Sequence, residues 1–162
     1  MAANETLTVW EALGGAPPAS AAATPDVRNN HVVLDFDADT NESSYFSAVL
    51  PKHYAGGNLA VRLHWLATSA TTGNVRWRAA FERLEAAGPD LDSSGFQTAI
   101  EANGAAGGTN GQVTVTTLTL TALDGAAAGD AFRIAVTRVA DDGVNDTMVG
   151  DAELLAVELV EA

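Results

Sequence analysis

Two runs near the end of the chain alternate apolar and polar residues on either side of an acidic break. Phe132, Ile134 and Val136 alternate with Arg133, Ala135 and Thr137. After Asp141-Asp142-Gly143-Val144-Asn145-Asp146, Leu155, Val157 and Leu159 alternate with Ala156, Glu158 and Val160. A period of two sends successive side chains to opposite faces, so each run buries one side of a β-strand. A chain made of such runs must fold as sheets.

The same pattern returns upstream. Val32, Leu34 and Phe36 share a phase in 31–37, and Ser44 to Leu50 forms a further strand. Pro51 closes that strand because it has no N–H to give a ladder. Leu59, Val61, Leu63 and Trp65 line one face, as do Val75, Trp77, Ala79 and Phe81. Thr71-Thr72-Gly73-Asn74 between them predicts a hairpin with both tryptophans available for the core. Arg78 to Ala87 contains good helix formers, but its continuous period of two favours strand. In Gln112 to Ala122, Val113 and Val115 lie in one phase and Leu118 and Leu120 in the other. That phase change predicts a β-bulge near Thr116-Thr117. Ala102 to Gly111 is rich in Gly, Ala and Asn and predicts a mobile loop. Together these runs predict an all-β, antiparallel, jelly-roll-like sandwich of about eight strands. No repeat of solenoid or propeller length is present.

Leu7-Thr8-Val9-Trp10 suits either a short edge strand or an arm, and Gly14 to Pro25 reads as a semi-extended linker. The expected organisation is an N-terminal arm or linker over 1–25 followed by one β-sandwich domain over 26–162. A chain of 162 residues suits one domain. With no cysteine, disulfides and thiolate metal sites are excluded.

Eight Lys plus Arg against 21 Asp plus Glu give a formal charge of −13. Such a field repels phosphate backbones and anionic lipid, so neither nucleic acid nor membrane is an expected partner. Arg76, Arg78 and Arg83 are too small a basic cluster to reverse it. Met1-Ala2-Ala3-Asn4-Glu5 has no secretory leader pattern, and no window has the ~18 apolar residues of a spanning helix. A soluble protein synthesised in the cytoplasm is the expectation.

Several residue groups invite chemical readings. Asp90-Leu91-Asp92-Ser93-Ser94-Gly95 with Glu101 has the spacing of an EF-hand calcium loop, although Pro89 would break its entering helix. Asp141, Asp142, Asn145 and Asp146 form a denser set of oxygen donors and are weak calcium candidates; turn chemistry alone also explains them. Asp35, Asp37 and Asp39 share a strand face, a pattern that more often marks a solvated side. His31, His53 and His64 form no ligand motif. No G-x-S-x-G elbow or phosphate loop is present, so no catalytic residue, cofactor or enzyme activity is expected.

A set of phrases resembles a known group. Asn41-Glu42-Ser43-Ser44-Tyr45-Phe46 leads to Leu50-Pro51-Lys52-His53-Tyr54-Ala55-Gly56-Gly57. Leu63-His64-Trp65, Thr72-Gly73-Asn74-Val75-Arg76-Trp77 and Gly150-Asp151-Ala152-Glu153-Leu154-Leu155-Ala156-Val157-Glu158-Leu159 follow. Over about residues 31–160 the chain resembles small tailed-bacteriophage virion proteins, including jelly-roll capsid decoration (cement) proteins. The resemblance implies a virion structural protein on the outer capsid surface, binding the major capsid protein and stabilising the shell. It also implies a homotrimer, for which Val113, Val115, Leu118 and Leu120 are the candidate interface. The alternative is a tail, baseplate or receptor module binding carbohydrate, with Trp10, Trp65 or Trp77 as stacking platforms. A small β-sandwich enzyme is a third class.

Overall fold

A computed structural model describes residues 4–88 and 90–162. Pro89, named above as a helix breaker, and residues 1–3 of the expected arm lie outside the described residues. Among the described residues ten strands run in order: β1 Glu5–Glu11, β2 Thr24–Arg28, β3 His31–Phe36, β4 Glu42–Val49 and β5 Leu59–Ala67, then β6 Asn74–Leu84, β7 Ile100–Ala105, β8 Thr114–Leu120, β9 Ala131–Arg138 and β10 Ala152–Glu161. One sheet has the order β2-β3-β10-β5-β8, with β1 also paired to β10; the other is β4-β9-β6-β7. All ladders are antiparallel, so the fold is the expected all-β jelly-roll-like sandwich.

The inward faces of the two sheets form the core. Trp65, Trp77, Phe36, Phe46 and Phe81 are fully buried, as the alternating pattern predicts. Phe36 meets Trp77 edge-on at 5.1 Å, and Phe81 stacks on Phe132 at 5.3 Å. The Trp65–Trp77 contact, 5.7 Å between centroids, bridges the two sheets. It corrects the expected hairpin, because β5 pairs with β8 and β6 with β7 and β9. Residues 68–73 turn a corner between layers; two wholly apolar strand faces bury more by facing each other than by lying side by side.

The predicted bulge at Thr116-Thr117 is absent: the β5–β8 register runs unbroken from Leu59↔Leu120 to Trp65↔Thr114. Thr116 occupies a core position in phase with Leu118 and Leu120, because its hydroxyl accepts the indole N–H of Trp65 at 2.9 Å. Val113 and Val115 therefore face outward. A register shift occurs instead in β10 between Leu154 and Ala156. There the neighbour of β10 changes from β3, paired over 152–154, to β1, paired over 156–161.

Ala102 to Gly111 is not all loop, since its first part belongs to β7. Small residues suit this edge because the sheets pinch together: a Cβ on Gly104 would lie 2.1 Å from Thr116 Oγ1. The segment expected as an arm is laid against the sandwich from Glu5 on. It carries β1, a 3-10 turn at Ala12–Gly14 and the first residues of β2. Trp10 tucks against Phe46 and Phe132 at 5.8 and 6.1 Å and donates to Ser47 O, which fixes β1 across the open side.

Candidate functional site

The oxygen donors 141–146 do not converge on a common point. Asp146 is buried and takes both Nε and Nη2 of Arg138, at 3.0 and 2.8 Å. Asp142 accepts from the backbone and side chain of Asn145, the first of which holds the turn; the side-chain bond is the larger influence holding its carboxyl below the ordinary range. Asp141 exchanges hydrogen bonds with Asn41. These residues lock a turn onto the end of β9.

The EF-hand spacing also dissolves in three dimensions. Phe81 to Leu84 is strand, and Glu101, which would close the loop, sits in β7 between Arg76 and Arg78. The bond from Arg78 is the main reason its carboxyl stays below the ordinary range. Of the aspartates on β3 and beyond, Asp37 caps a tight turn by accepting from Asp39 N and Thr40 N, both at 2.7 Å. Asp35 lies instead on the outer face opposite Glu153. Burial, with Glu153 and Asp26 adding repulsion, raises its carboxyl to about 6. His53 and His64 approach separate acids, Glu5 and Glu158. Of the four candidate interface residues, Leu118 and Leu120 are each 1% exposed and belong to the core, while Val113 and Val115 stay exposed.

The outer face of the first sheet has two shallow depressions, about 280 and 250 Å³, which share His31 and Leu155. The floor of the larger is apolar, formed by Val33, Leu66, Val113 and Leu155, whereas Glu11, Asn30 and His31 give the smaller a polar lining. Arg28, in the larger, donates from Nη1 to Ala67 O, Thr68 O and Glu153 and from Nη2 to Asn110.

The outer face of the second sheet differs in chemistry. Cross-strand register places Ser47, Arg133 and Glu82 in one row, Tyr45, Ala135 and Ala80 in the next, and Ser43, Thr137, Arg78 and Glu101 in a third. The middle row beside Tyr45 is made of small residues, and Ala80 among them is buried. Phe96, brought alongside by the segment whose Gln97 N donates to Phe81 O, lies 5.2 Å from the Tyr45 ring. The Arg133 guanidinium sits over both rings, 4.9 Å from Tyr45 and 4.8 Å from Phe96. Its Nε donates to the Glu82 carboxylate. Both rings attract the cation, and the Glu82 carboxylate adds a charge-assisted hydrogen bond at Nε.

This cluster was not legible in the sequence. Tyr45 reads as one residue of a strand, and Phe96 falls in a segment without periodicity. The tryptophans expected as stacking platforms are unsuitable: Trp65 and Trp77 are fully buried, and Trp10 is committed to Phe46, Phe132 and Ser47.

No protein-family model and no curated protein sequence matches the chain. Solved structures do. The CBM36-1 domain of a multidomain xylanase from the hindgut metagenome of Trinervitermes trinervoides aligns over 96% of this chain and 97% of its own, at TM-score 0.50 and 11% identity. The CBM22-1 xylan-binding domain of Paenibacillus barcinonensis Xyn10C aligns over 98% and 96%, at 0.51 and 9%. The Clostridium thermocellum Xyn10B CBM22-1–GH10 structure aligns over 99% of this chain but only 28% of its own, at 0.51 and 11%. At such identities the likeness is one of fold: the chain shares the β-sandwich of carbohydrate-binding modules.

Proposed function

We propose that the chain is a non-catalytic glycan-binding module whose site is the outer face of the second sheet. The observation that carries this reading is the Tyr45–Arg133–Phe96 arrangement, the one outward-facing aromatic cluster among the described residues. Aromatic rings offer sugars an apolar surface for their C–H faces, and the flanking Ser43, Ser47 and Thr137 offer hydroxyls. A formal charge of −13 repels acidic polysaccharides, so the ligand is an uncharged glycan. The similar modules of xylanases, one of them described as xylan-binding, support the same class of ligand. Affinity electrophoresis in gels containing xylan, mannan or polygalacturonate tests this. Retardation by a neutral polysaccharide, lost in Tyr45→Ala, is the expected result; equal mobility in every gel overturns the reading.

The capsid-decoration reading, with a homotrimer on the major capsid protein, rests on the phrases over about residues 31–160 and on exposed Val113 and Val115. Both valines flank or belong to β8, an edge strand without charged residues. Val115→Lys is expected to lower the solution mass if that edge joins subunits, and an unchanged mass removes the trimer. Hundreds of copies per purified virion would place the chain on the shell.

A further inference from the structure

Several charged side chains on this fold are hydrogen-bonded to one another. Arg76 and Arg78 share Glu101, with Asn103 and Asp142 completing the network. All five N–H groups of Arg138 are taken up, and Nη1 and Nη2 of Arg28 are also bonded. Asp35 Oδ1 and Glu82 Oε1 are both buried without a hydrogen-bond partner, but Glu82 alone of the two has a partly exposed, underused guanidinium, that of Arg133, bonded to its other oxygen. Glu82 is 1% exposed, yet its Oε1 is buried without a hydrogen-bond partner, while Oε2 takes Nε of Arg133. Arg133 keeps a side chain 35% exposed, and its Nη1 and Nη2 donate to no protein atom among the described residues. A buried carboxylate oxygen left unpaired costs free energy, so its persistence points to a partner supplied from outside.

Resting on the glycan-binding reading, we propose that Glu82 and Arg133 form a hydroxyl-reading pair that sets the specificity of the site. One hydroxyl of a sugar ring held at Tyr45 and Phe96 donates to Glu82 Oε1. The neighbouring hydroxyl accepts from an Nη group of Arg133. The hydroxyl reaches the carboxylate as the Arg133 head group pivots on the two rings that support it. A donor and an acceptor side by side select an uncharged sugar with two adjacent free hydroxyls in the matching orientation, and disfavour the epimer that turns one of them away. Sites built to pair a buried polar group discriminate because the wrong ligand leaves that group unpaired.

Calorimetric titration of the full chain with xylohexaose and mannohexaose, which present their adjacent hydroxyls differently, tests this. Wild type is expected to bind xylohexaose at least about tenfold more tightly than mannohexaose. Glu82→Gln is expected to lose about tenfold in xylohexaose affinity and to flatten the preference. Arg133→Lys keeps the charge but not the paired donors, and is expected to do the same at an unchanged unfolding midpoint. Should Glu82→Gln fail to fold, Arg133→Lys decides the matter alone. Retained affinity and preference in the folded variants overturns the pair while leaving the module reading intact, as does wild-type binding without preference. Absence of binding by wild type to any neutral glycan overturns both.

Discussion

Arg138 and Asp146 meet as a fully buried bidentate pair, with Nη2–Oδ1 at 2.8 Å and Nε–Oδ2 at 3.0 Å. The remaining donors of the guanidinium go to the carbonyl oxygens of Phe36, Met148 and Gly150. Asp146 in turn accepts the backbone N–H of Arg76. One charged pair therefore ties β3, β6, β9 and the 141–150 turn together at one end of the sandwich.

Removing one member of such a pair strands a buried charge. Arg138→Met is expected to destabilise the fold by about 3–5 kcal/mol. Urea denaturation measures it, and a loss below about 1 kcal/mol would show the pair to be dispensable.

Asp35 sets a pH dependence. Its carboxyl titrates near 6 in the folded chain against 3.8 ordinarily, because of burial first and then Glu153, Asp26 and Asp151. The folded state thus holds a proton that the unfolded chain releases. Stability from this group is complete below pH 3.8 and is lost as pH rises through about 6. Asp35→Asn removes the penalty. It is expected to raise stability at pH 8 by on the order of 1 kcal/mol, after allowance for partial solvent screening. At pH 4 it should change little. Melting curves at the two pH values check the sign.

The buried Trp65 indole N–H donates to the Thr116 hydroxyl. Thr116→Val keeps the shape and deletes the acceptor. A loss of about 1–3 kcal/mol is expected, read by denaturant titration with tryptophan fluorescence.

At Gly104 a Cβ would meet Thr116 Oγ1 at 2.1 Å and Trp65 Cζ2 at 3.0 Å. Gly104→Val is expected to push the sheets apart at this edge. Destabilisation of about 1–3 kcal/mol and a changed near-UV circular dichroism signal from Trp65 are the expected readouts.

Period-two patterning made the sandwich readable before any coordinates. The inward residues of β5, β6 and β9 are those that alternate, because burying one face of a strand demands apolar residues at every second position. Pattern also has limits, and Thr116 shows why. A polar residue in a core position broke the apparent phase, and only its contact with Trp65 explains it. β2 and β7 escaped, and β1 stayed open between edge strand and arm, for a related reason: they are short or made of small and polar residues, and pairing along an edge, not a buried face, holds them in place.

The sequence by itself determined the class of fold, the inward-facing residues and a formal charge of −13, because these depend on local alternation and composition. Tertiary structure alone decided which strands pair and which polar groups are used up. The aspartates of 141–146 looked like ligands in the chain and are hydrogen-bonded within the fold. Tyr45, Glu82, Phe96 and Arg133, spread over three strands and a connecting segment, meet only when β4, β6 and β9 lie side by side. Capacity left unfilled is a property of neighbours in space, and long-range pairing chooses those neighbours.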